Sequence, residues 1–187
     1  MTIIVTALYA EAKPIIEKYR LRKKEDALFP LYAGQDMLLI ISGMTPVASA
    51  IATTYILSKN PQTDQIVNIG ICGSTKEKDQ PGNCYAIRKI IDTQTDKVYH
   101  LPVKHTSLTY TTIASYSQPQ RKKIEKYHLV DMESSGFFSA AGKFLPSEKI
   151  SLYKIVSDHL DATIPSGTFV EKLIGQNLAH FKEINAT

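Results

Sequence analysis

Three acidic residues lie where predicted β-strands end. Glu11 follows the first strand, Glu133 follows a short apolar strand, and Asp158 follows the strand with the strongest β pattern. Because α/β sheets bind ligands beyond the carboxyl ends of their strands, we expect the three carboxyl groups to face one site. Carboxyl groups in one site are suited to general acid and base catalysis. The positions of these residues therefore predict acid-assisted chemistry on a small ligand.

Each acid taken alone also has an ordinary structural interpretation. Glu11 and Glu133 lie in the first turns of predicted helices, where a negative charge interacts with the helix dipole favourably by about 0.3–1 kcal/mol. Asp158 could cap a short helix or a turn. The catalytic interpretation rests on the coincidence that all three residues end a predicted strand.

Strands and helices alternate along the sequence, which predicts an α/β fold. The predicted strands are Thr2 to Leu8, Leu28 to Ala33, Met37 to Ser42, Gln65 to Ile71, Cys84 to Ile91, Val98 to Val103, Leu108 to Ala114, Leu129 to Met132 and Ile150 to Val156. The predicted helices are Ala10 to Tyr19, Thr45 to Ser58, Pro119 to Tyr127, Glu133 to Phe144 and Phe169 to Phe181. We expect one domain over residues 1–187, with three layers in which helices flank a central mixed β-sheet.

The composition is typical of a globular chain that does not cross a membrane. Apolar residues make up 43% of the sequence, but no apolar run reaches the roughly 18–20 residues that span a bilayer. The first residues lack the basic region and cleavage site of a signal peptide. Cys72 and Cys84 are too few for a disulfide framework or a metal cluster, and they suit a reducing compartment. We therefore predict a cytoplasmic protein with no membrane partner.

The formal net charge is +4, and basic residues cluster in Lys18–Lys24 and Arg121–Lys123. We interpret both runs as solvated faces of helices. No zinc-finger spacing and no basic stretch interleaved with aromatic residues indicates a nucleic-acid partner. The histidines show no metal-ligand spacing, and no cofactor motif is present. The sequence therefore predicts neither a metal nor a cofactor.

Five short segments identify a resemblance to a known family. They are residues 4–12 (Ile-Val-Thr-Ala-Leu-Tyr-Ala-Glu-Ala), 40–50 (Ile-Ile-Ser-Gly-Met-Thr-Pro-Val-Ala-Ser-Ala), 67–74 (Val-Asn-Ile-Gly-Ile-Cys-Gly-Ser), 130–134 (Val-Asp-Met-Glu-Ser) and 155–160 (Ile-Val-Ser-Asp-His-Leu). In this order they resemble the nucleoside phosphorylase and nucleosidase superfamily, and most of all the methylthioadenosine/S-adenosylhomocysteine nucleosidases. The resemblance covers most of the chain. It implies a nucleoside phosphorylase-like fold and cleavage of the bond between a purine and its ribose.

The matching positions imply a role for each residue of the expected site. Asp158 would donate a proton toward N7 of the departing base, and Ser157 would orient its carboxyl group. Glu11 would activate the attacking water. Glu133 would accept hydrogen bonds from the ribose hydroxyls, an interaction most useful if it strengthens as the sugar becomes cationic. Met132 would pack against the sugar or base, although a core position explains it as well.

Three further positions of the expected substrate site are Gly70, Ile71 and Lys154. The family has a serine in place of Ile71 and an arginine in place of Lys154, and both help to position the nucleophilic water. The Ile71 side chain cannot hydrogen-bond that water, and Lys154 keeps the charge without the planar fork.

The part of the chain that would contact the base is harder to assign. The sequence between Ile91 and Arg121 is short for the family, which builds much of its base pocket there. Tyr116 and Phe138 are the candidate stacking residues, and each also fits a core or surface position. His159 could tune the neighbouring Asp158 or could face solvent.

Three functions remain open from the sequence. Hydrolysis is favoured over phosphorolysis, because Glu11 would repel phosphate and the usual Gly-Lys of the second segment is Thr45-Pro46 here. Lys13 and Lys154 could restore positive charge for a phosphorylase. The altered positions also allow a nucleoside-binding protein without turnover.

The resemblance also implies a homodimer or a larger homo-oligomer. The helix predicted over Thr45 to Ser58 could supply the interface, or could simply pack on the sheet.

Overall fold

In the computed structural model of the chain, the described residues are 1–104, 107–120, 126–161 and 164–185, with side chains described as far as residue 181. The basic run Arg121–Lys123 lies outside them, as does the centre of the helix predicted over Pro119 to Tyr127. Within these ranges, no helix is both long and apolar enough to span a bilayer.

The described elements follow the predicted alternation. The strands are β1 (Thr2–Thr6), β2 (Arg22–Lys24), β3 (Leu31–Ala33), β4 (Met37–Ile41), β5 (Gln65–Ser74), β6 (Cys84–Asp92), β7 (Val98–His100), β8 (Thr109–Ser115), β9 (Leu129–Asp131) and β10 (Ile150–Asp158). The helices are α1 (Tyr9–Tyr19), α2 (Pro46–Lys59), α3 (Ser134–Ala141) and α4 (Gly167–Asn177), and two 3₁₀ segments cover Ser147–Lys149 and Leu178–Asn185.

Strand β5 is the centre of a mixed sheet. It pairs in parallel with β1 and β10, and its last residues pair antiparallel with β9. Because β10 also pairs with β6, β6 with β8, and β8 with β9, these five strands form a closed ring of pairings. On the other side of β1, the sheet continues through β4 and β3 to β2 at its edge.

Helices cover both faces of the sheet, which confirms the predicted three-layer α/β architecture. Successive residues of a strand point to opposite faces. Accordingly, Ile3 belongs to the core beneath α2 and α3, where it packs with Ile56 and Phe137. Ile4 belongs to the core beneath α1 and α4, together with Ile15.

The start of α2 was predicted correctly. Thr45 is the N-cap, and its hydroxyl accepts a hydrogen bond from the Ala48 amide at 3.2 Å. Pro46 occupies the first helical position, where its missing N–H costs no hydrogen bond.

Three local predictions were wrong. The basic run Lys18–Lys24 is not a helix face throughout, since Arg22–Lys24 form the edge strand β2, with exposed side chains. Strand β5 does not end at Ile71 but continues to Ser74, because β10 and β9 supply partners for its backbone. Helix α3 ends at Ala141, so Phe144 lies beyond it and is 44% exposed.

Candidate active site

The predicted site residues meet at the carboxyl ends of the parallel strands β1, β5 and β10. A cavity of about 170 Å³ opens there. Six of the eight predicted residues line it: Glu11, Ile71, Met132, Glu133, Ser157 and Asp158. Strand β9 runs antiparallel to the end of β5, which directs Met132 and Glu133 back toward the ends of the other strands. The ring of strands therefore joins segments that are far apart in the sequence.

The other two predicted residues, Gly70 and Lys154, stand behind the cavity wall. A Cβ atom added to Gly70 would lie 2.9 Å from Glu11 Oε1 and 3.4 Å from Lys154 Nζ. Gly70 therefore leaves room for the Glu11 carboxyl group, and Lys154 lies on the protein side of that group.

Glu11 is held by backbone amides from two segments. Its Oε2 accepts hydrogen bonds from the amides of Ala7 and Leu8 at 2.8 and 2.9 Å, and its Oε1 accepts one from the Ile71 amide at 2.9 Å. Ile71 therefore contributes its backbone to the site, although its side chain cannot hydrogen-bond a water.

Burial raises the pKa of Glu11, whose residue is only 2% exposed. The three amides and the positive charge of Lys154 act in the opposite direction but do not cancel the loss of hydration. A carboxylate with a raised pKa is a stronger base, which suits the activation of a water molecule.

The pKa of Glu133 is raised as well. Burial and the negative charge of Asp131 raise the pKa of Glu133 to about 8, against the opposing effects of Lys154 and of a hydrogen bond from the Thr45 amide. The neutral form therefore predominates at neutral pH. In that form the carboxyl group can both donate and accept hydrogen bonds.

Lys154 and Asp131 form a buried ion pair behind these acids. The Nζ to Oδ2 distance is 2.8 Å, and the side chains are 1% and 0% exposed. Burial by itself would lower the pKa of Lys154, but the charges of Asp131 and Glu133 outweigh it and raise that pKa. The lysine is therefore a permanent cation whose charge is already matched by a carboxylate.

Asp131 is the site residue that the sequence reasoning missed. It lines the cavity, and its Oδ2 also accepts from the amide and hydroxyl of Ser134 at 3.1 and 2.6 Å. The available signal was its position two residues before Glu133 in the fourth segment, which allows both side chains to lie on one side of an extended chain.

Asp158 is the last residue of β10 and follows a local irregularity in the strand. The register with β5 shifts between Val156 and Asp158, so Ser157 is the extra residue. Asp158 Oδ1 accepts the Leu160 amide at 2.9 Å, and its Oδ2 lies 2.5 Å from the Ser157 hydroxyl.

The Ser157 hydroxyl can serve both protonation states of Asp158. It also lies 3.2 Å from the Cys72 carbonyl oxygen. When Asp158 is ionised, the hydroxyl donates to the carboxylate. When Asp158 is protonated, the acid can donate to the hydroxyl, which then donates to the carbonyl.

The two candidate base-stacking residues pack elsewhere. The Phe138 ring lies 5.3 Å from the Tyr99 ring, and the Tyr116 ring lies 6.5 Å from the Tyr127 ring. Neither residue lines the cavity beside Asp158. The cavity wall instead includes Pro119 from the segment after β8.

A second cavity of about 500 Å³ adjoins the first and shares Ser157 and Asp158 with it. Its wall includes apolar Ile164 and Phe169 and the polar side chain of His159. Among the described residues, no group of three or more histidine, cysteine, aspartate or glutamate side chains is arranged to hold a metal ion.

Sequence comparison places this chain in a family. The sequence model of the phosphorylase superfamily matches residues 2–112, which is more than half of the chain. The chain therefore belongs to the phosphorylase superfamily. No curated protein sequence matches it significantly.

Solved structures show the same fold at low sequence identity. The 5'-methylthioadenosine/S-adenosylhomocysteine nucleosidase of Helicobacter pylori is 17% identical with a TM-score of 0.82, and the alignment covers 98% of this chain and 97% of the other. The futalosine hydrolase of the same bacterium is also 17% identical with a TM-score of 0.82, covering 98% and 96%. The 5'-methylthioadenosine nucleosidase of Arabidopsis thaliana is 18% identical with a TM-score of 0.82, covering 100% and 96%.

Proposed function

We propose that this protein is a nucleosidase that hydrolyses the N-glycosidic bond of a purine nucleoside. The observation that carries the proposal is that Glu11, Glu133 and Asp158 all line the same cavity. The fold supports it, because two of the three similar structures named above are nucleosidases by name and the third is a futalosine hydrolase. Substrates related to 5'-methylthioadenosine or S-adenosylhomocysteine are the first to test.

The proposed reaction divides the chemistry between two acids. Asp158 donates its proton toward N7 of the purine, and the electron pair of the C1'–N9 bond leaves with the base. Water bonds to C1' of the oxocarbenium-like sugar and gives a proton to Glu11. Such a division of acid and base is the general logic of glycoside hydrolysis. The products are the free base and the free sugar.

Glu133 and Met132 complete the proposed sugar site. Glu133 binds the ribose hydroxyls, and Met132 packs against the sugar or base. The absence of a side chain at Gly70 leaves room for the Glu11 carboxyl group, and the Asp131–Lys154 pair lies behind it. The Ile71 amide donates a hydrogen bond to the same carboxyl group. No step of this reaction requires a metal or a cofactor.

Phosphorolysis is the second candidate, since the superfamily takes its name from phosphorylases. The charges around the cavity favour water over phosphate. Glu11 and Asp131 line the cavity on the side proposed for the nucleophile, and the Lys154 ammonium is already paired with Asp131. A phosphate dianion would meet carboxyl groups there without a free cation from Lys154.

One experiment separates hydrolysis, phosphorolysis and binding without turnover. The protein is incubated with methylthioadenosine, adenosine, inosine and guanosine, with and without phosphate. Release of free base in phosphate-free buffer supports hydrolysis. Strict dependence on phosphate supports a phosphorylase, and binding without base release supports a non-catalytic protein.

We further propose a homodimer that uses α2. Val47 and Ile51 in the N-terminal part of this helix are 66% and 53% exposed, and Met44, just before the helix, is 53% exposed. Met44 also lines the cavity, so a second subunit at this face would border the site. Light scattering should give twice the monomer mass, and Val47→Asp should return it to the monomer mass.

The proposed location is the cytoplasm. Cys72 and Cys84 are both free thiols, which suits the reducing environment of the cytoplasm. They lie on opposite sides of β10, since Cys72 pairs with Val156 and Cys84 with Ile155. Fractionation of the cells that produce the protein tests this location.

A further inference from the structure

A cluster of polar side chains surrounds the buried Asp79. Asp79 Oδ2 lies 2.6 Å from both the Ser74 hydroxyl and His128 Nε2, and its Oδ1 accepts from the Tyr85 hydroxyl at 2.8 Å. The other ring nitrogen of His128 lies 2.6 Å from the Thr111 hydroxyl. Aspartate, histidine and hydroxyl in a row have the arrangement of a hydrolase triad.

The surroundings of this cluster indicate a structural role. Thr111 is buried and lines neither cavity beside Asp158. The Asp79 carboxylate accepts hydrogen bonds from Ser74 and Tyr85 as well as from His128, so both of its oxygens have partners. Ser74 lies in β5, Tyr85 in β6, and His128 directly precedes β9. Three strands of the closed ring therefore fix the position of Asp79.

The fixed Asp79 holds the residue that follows Asp158. His159 Nε2 lies 2.9 Å from the Asp79 carbonyl oxygen. Because a carbonyl oxygen can only accept a hydrogen bond, Nε2 must carry the hydrogen. Backbone bonds anchor the same loop to β10, from Gly82 N to Val156 O at 2.8 Å and from Val156 N to Asn83 O at 2.9 Å.

The backbone around Asp158 needs such an anchor. Leu160 has a φ of +62°, in the left-handed region that a leucine rarely adopts. The same Leu160 donates its amide to Asp158 Oδ1. Only His159 separates Asp158 from Leu160 in the sequence, and its side chain is hydrogen-bonded to the Asp79 carbonyl oxygen. Loss of the His159 hydrogen bond would therefore displace the Leu160 amide and, with it, the Asp158 carboxyl group that accepts from this amide.

We propose that His159 is a positioning residue for Asp158, with Asp79 as the fixed point to which it is bound. This inference rests on the proposed function, in which Asp158 is the acid. His159 orients the carboxyl group by holding the turn that presents the Leu160 amide to it. A misplacement of about 1 Å in such a group can slow a reaction by about 10²-fold.

The opposing possibility is direct contact with substrate, since His159 also lines the second cavity. The two roles differ in kinetics. Loss of a ground-state contact raises KM, whereas misplacement of the acid lowers kcat with little change in KM.

The test compares His159→Leu with His159→Gln, because a glutamine amide nitrogen can reach the place of the imidazole Nε2. His180→Leu is the control, since His180 is an exposed residue remote in sequence from the loop. We expect His159→Leu to lower kcat by about 10- to 100-fold with KM changed less than about threefold. His159→Gln should recover most of kcat, and His180→Leu should match the wild type.

A second readout keeps the inference separate from the proposed function. The carboxyl ¹³C resonance of Asp158, assigned by its loss in Asp158→Asn, should move in His159→Leu and return in His159→Gln. Unchanged kcat, or a raised KM with unchanged kcat, would overturn the inference even if the wild type is active. If the wild type releases no base from any nucleoside, the proposed function fails, and an unmoved resonance would then reject the positioning role as well.

Discussion

Lys154 and Asp131 pair 2.8 Å apart at the back of the cavity, with almost no solvent exposure. A buried ion pair is costly to break, because the remaining charge has no partner and no water. Lys154→Met leaves the Asp131 carboxylate buried without a counter-charge, with only the Ser134 donors remaining, so we expect it to lower the free energy of unfolding by about 3–5 kcal/mol.

The double variant Lys154→Met with Asp131→Asn tests the cause of that loss. Asparagine removes the charge and keeps an oxygen for the Ser134 donors. The double variant should therefore be more stable than Lys154→Met alone in urea denaturation. If its loss equals the sum of the two single losses, the pair does not act as a unit.

The pKa of Glu133 predicts an unusual pH dependence of stability. Burial, with help from Asp131, raises the pKa of Glu133 in the folded protein to about 8 from 4.5. The folded state therefore binds the proton more tightly than the unfolded state. The resulting stability is fully present below about pH 4.5 and is lost as the pH rises through about 8.

Glu133→Gln removes this dependence, since glutamine does not ionise. At about pH 9 the variant should be more stable than the wild type by more than about 1 kcal/mol, and the difference should shrink at about pH 5. Urea denaturation at the two pH values measures both differences. The same variant should lose activity, because a glutamine amide cannot become the carboxylate that would strengthen the ribose hydrogen bonds as the sugar becomes cationic. A difference in stability that does not depend on pH would show that Glu133 is not the titrating group.

Glu11 predicts the acid limb of the activity profile. Burial raises the pKa of Glu11 above 4.5 despite three amide donors. The proposed base must be ionised, so kcat/KM should fall as the pH drops through this raised pKa. The midpoint of the fall should lie above 4.5. A rate that stays constant down to about pH 4 would exclude Glu11 as the base.

Much of the site could be predicted because the residues that carry it end recognisable strands. Apolar runs locate β1 and β10, so Glu11 and Asp158 can be placed at one edge of the sheet from sequence alone. The short apolar run before Glu133 places that residue at the same edge, and the resemblance of the short segments adds its expected role toward the ribose.

Other features depend on contacts that the sequence does not display. The Asp131–Lys154 pair forms only when β9 and β10 close the ring around β5. The extension of β5 past Ile71 likewise depends on its partners. The basic run Arg22–Lys24 was assigned to a helix because an exposed edge strand and an exposed helix end are equally polar over three residues.

Helix packing near the site depends on Gly136. A Cβ atom at this position of α3 would lie 1.8 Å from the Pro46 carbonyl oxygen at the start of α2. Gly136→Ala should therefore push the two helices apart and destabilise the protein by roughly 1–3 kcal/mol or more. Thermal denaturation measures the effect.

Gly175→Ala in α4 is the matched control. Its nearest contact would be the Pro14 side chain at an ordinary 4.0 Å. Because alanine favours a helix over glycine by up to about 1 kcal/mol, this variant should be as stable as the wild type or more so. Equal losses in both variants would contradict the packing account.

The role of Asp158 as proton donor is the central claim, and base release in phosphate-free buffer tests it most directly. Wild-type protein should release free base and free sugar from a purine nucleoside without phosphate. Asp158→Asn should slow that release by about 10²- to 10⁴-fold while nucleoside binding remains mostly intact. Near-normal release by Asp158→Asn, or release only when phosphate is present, would contradict the account.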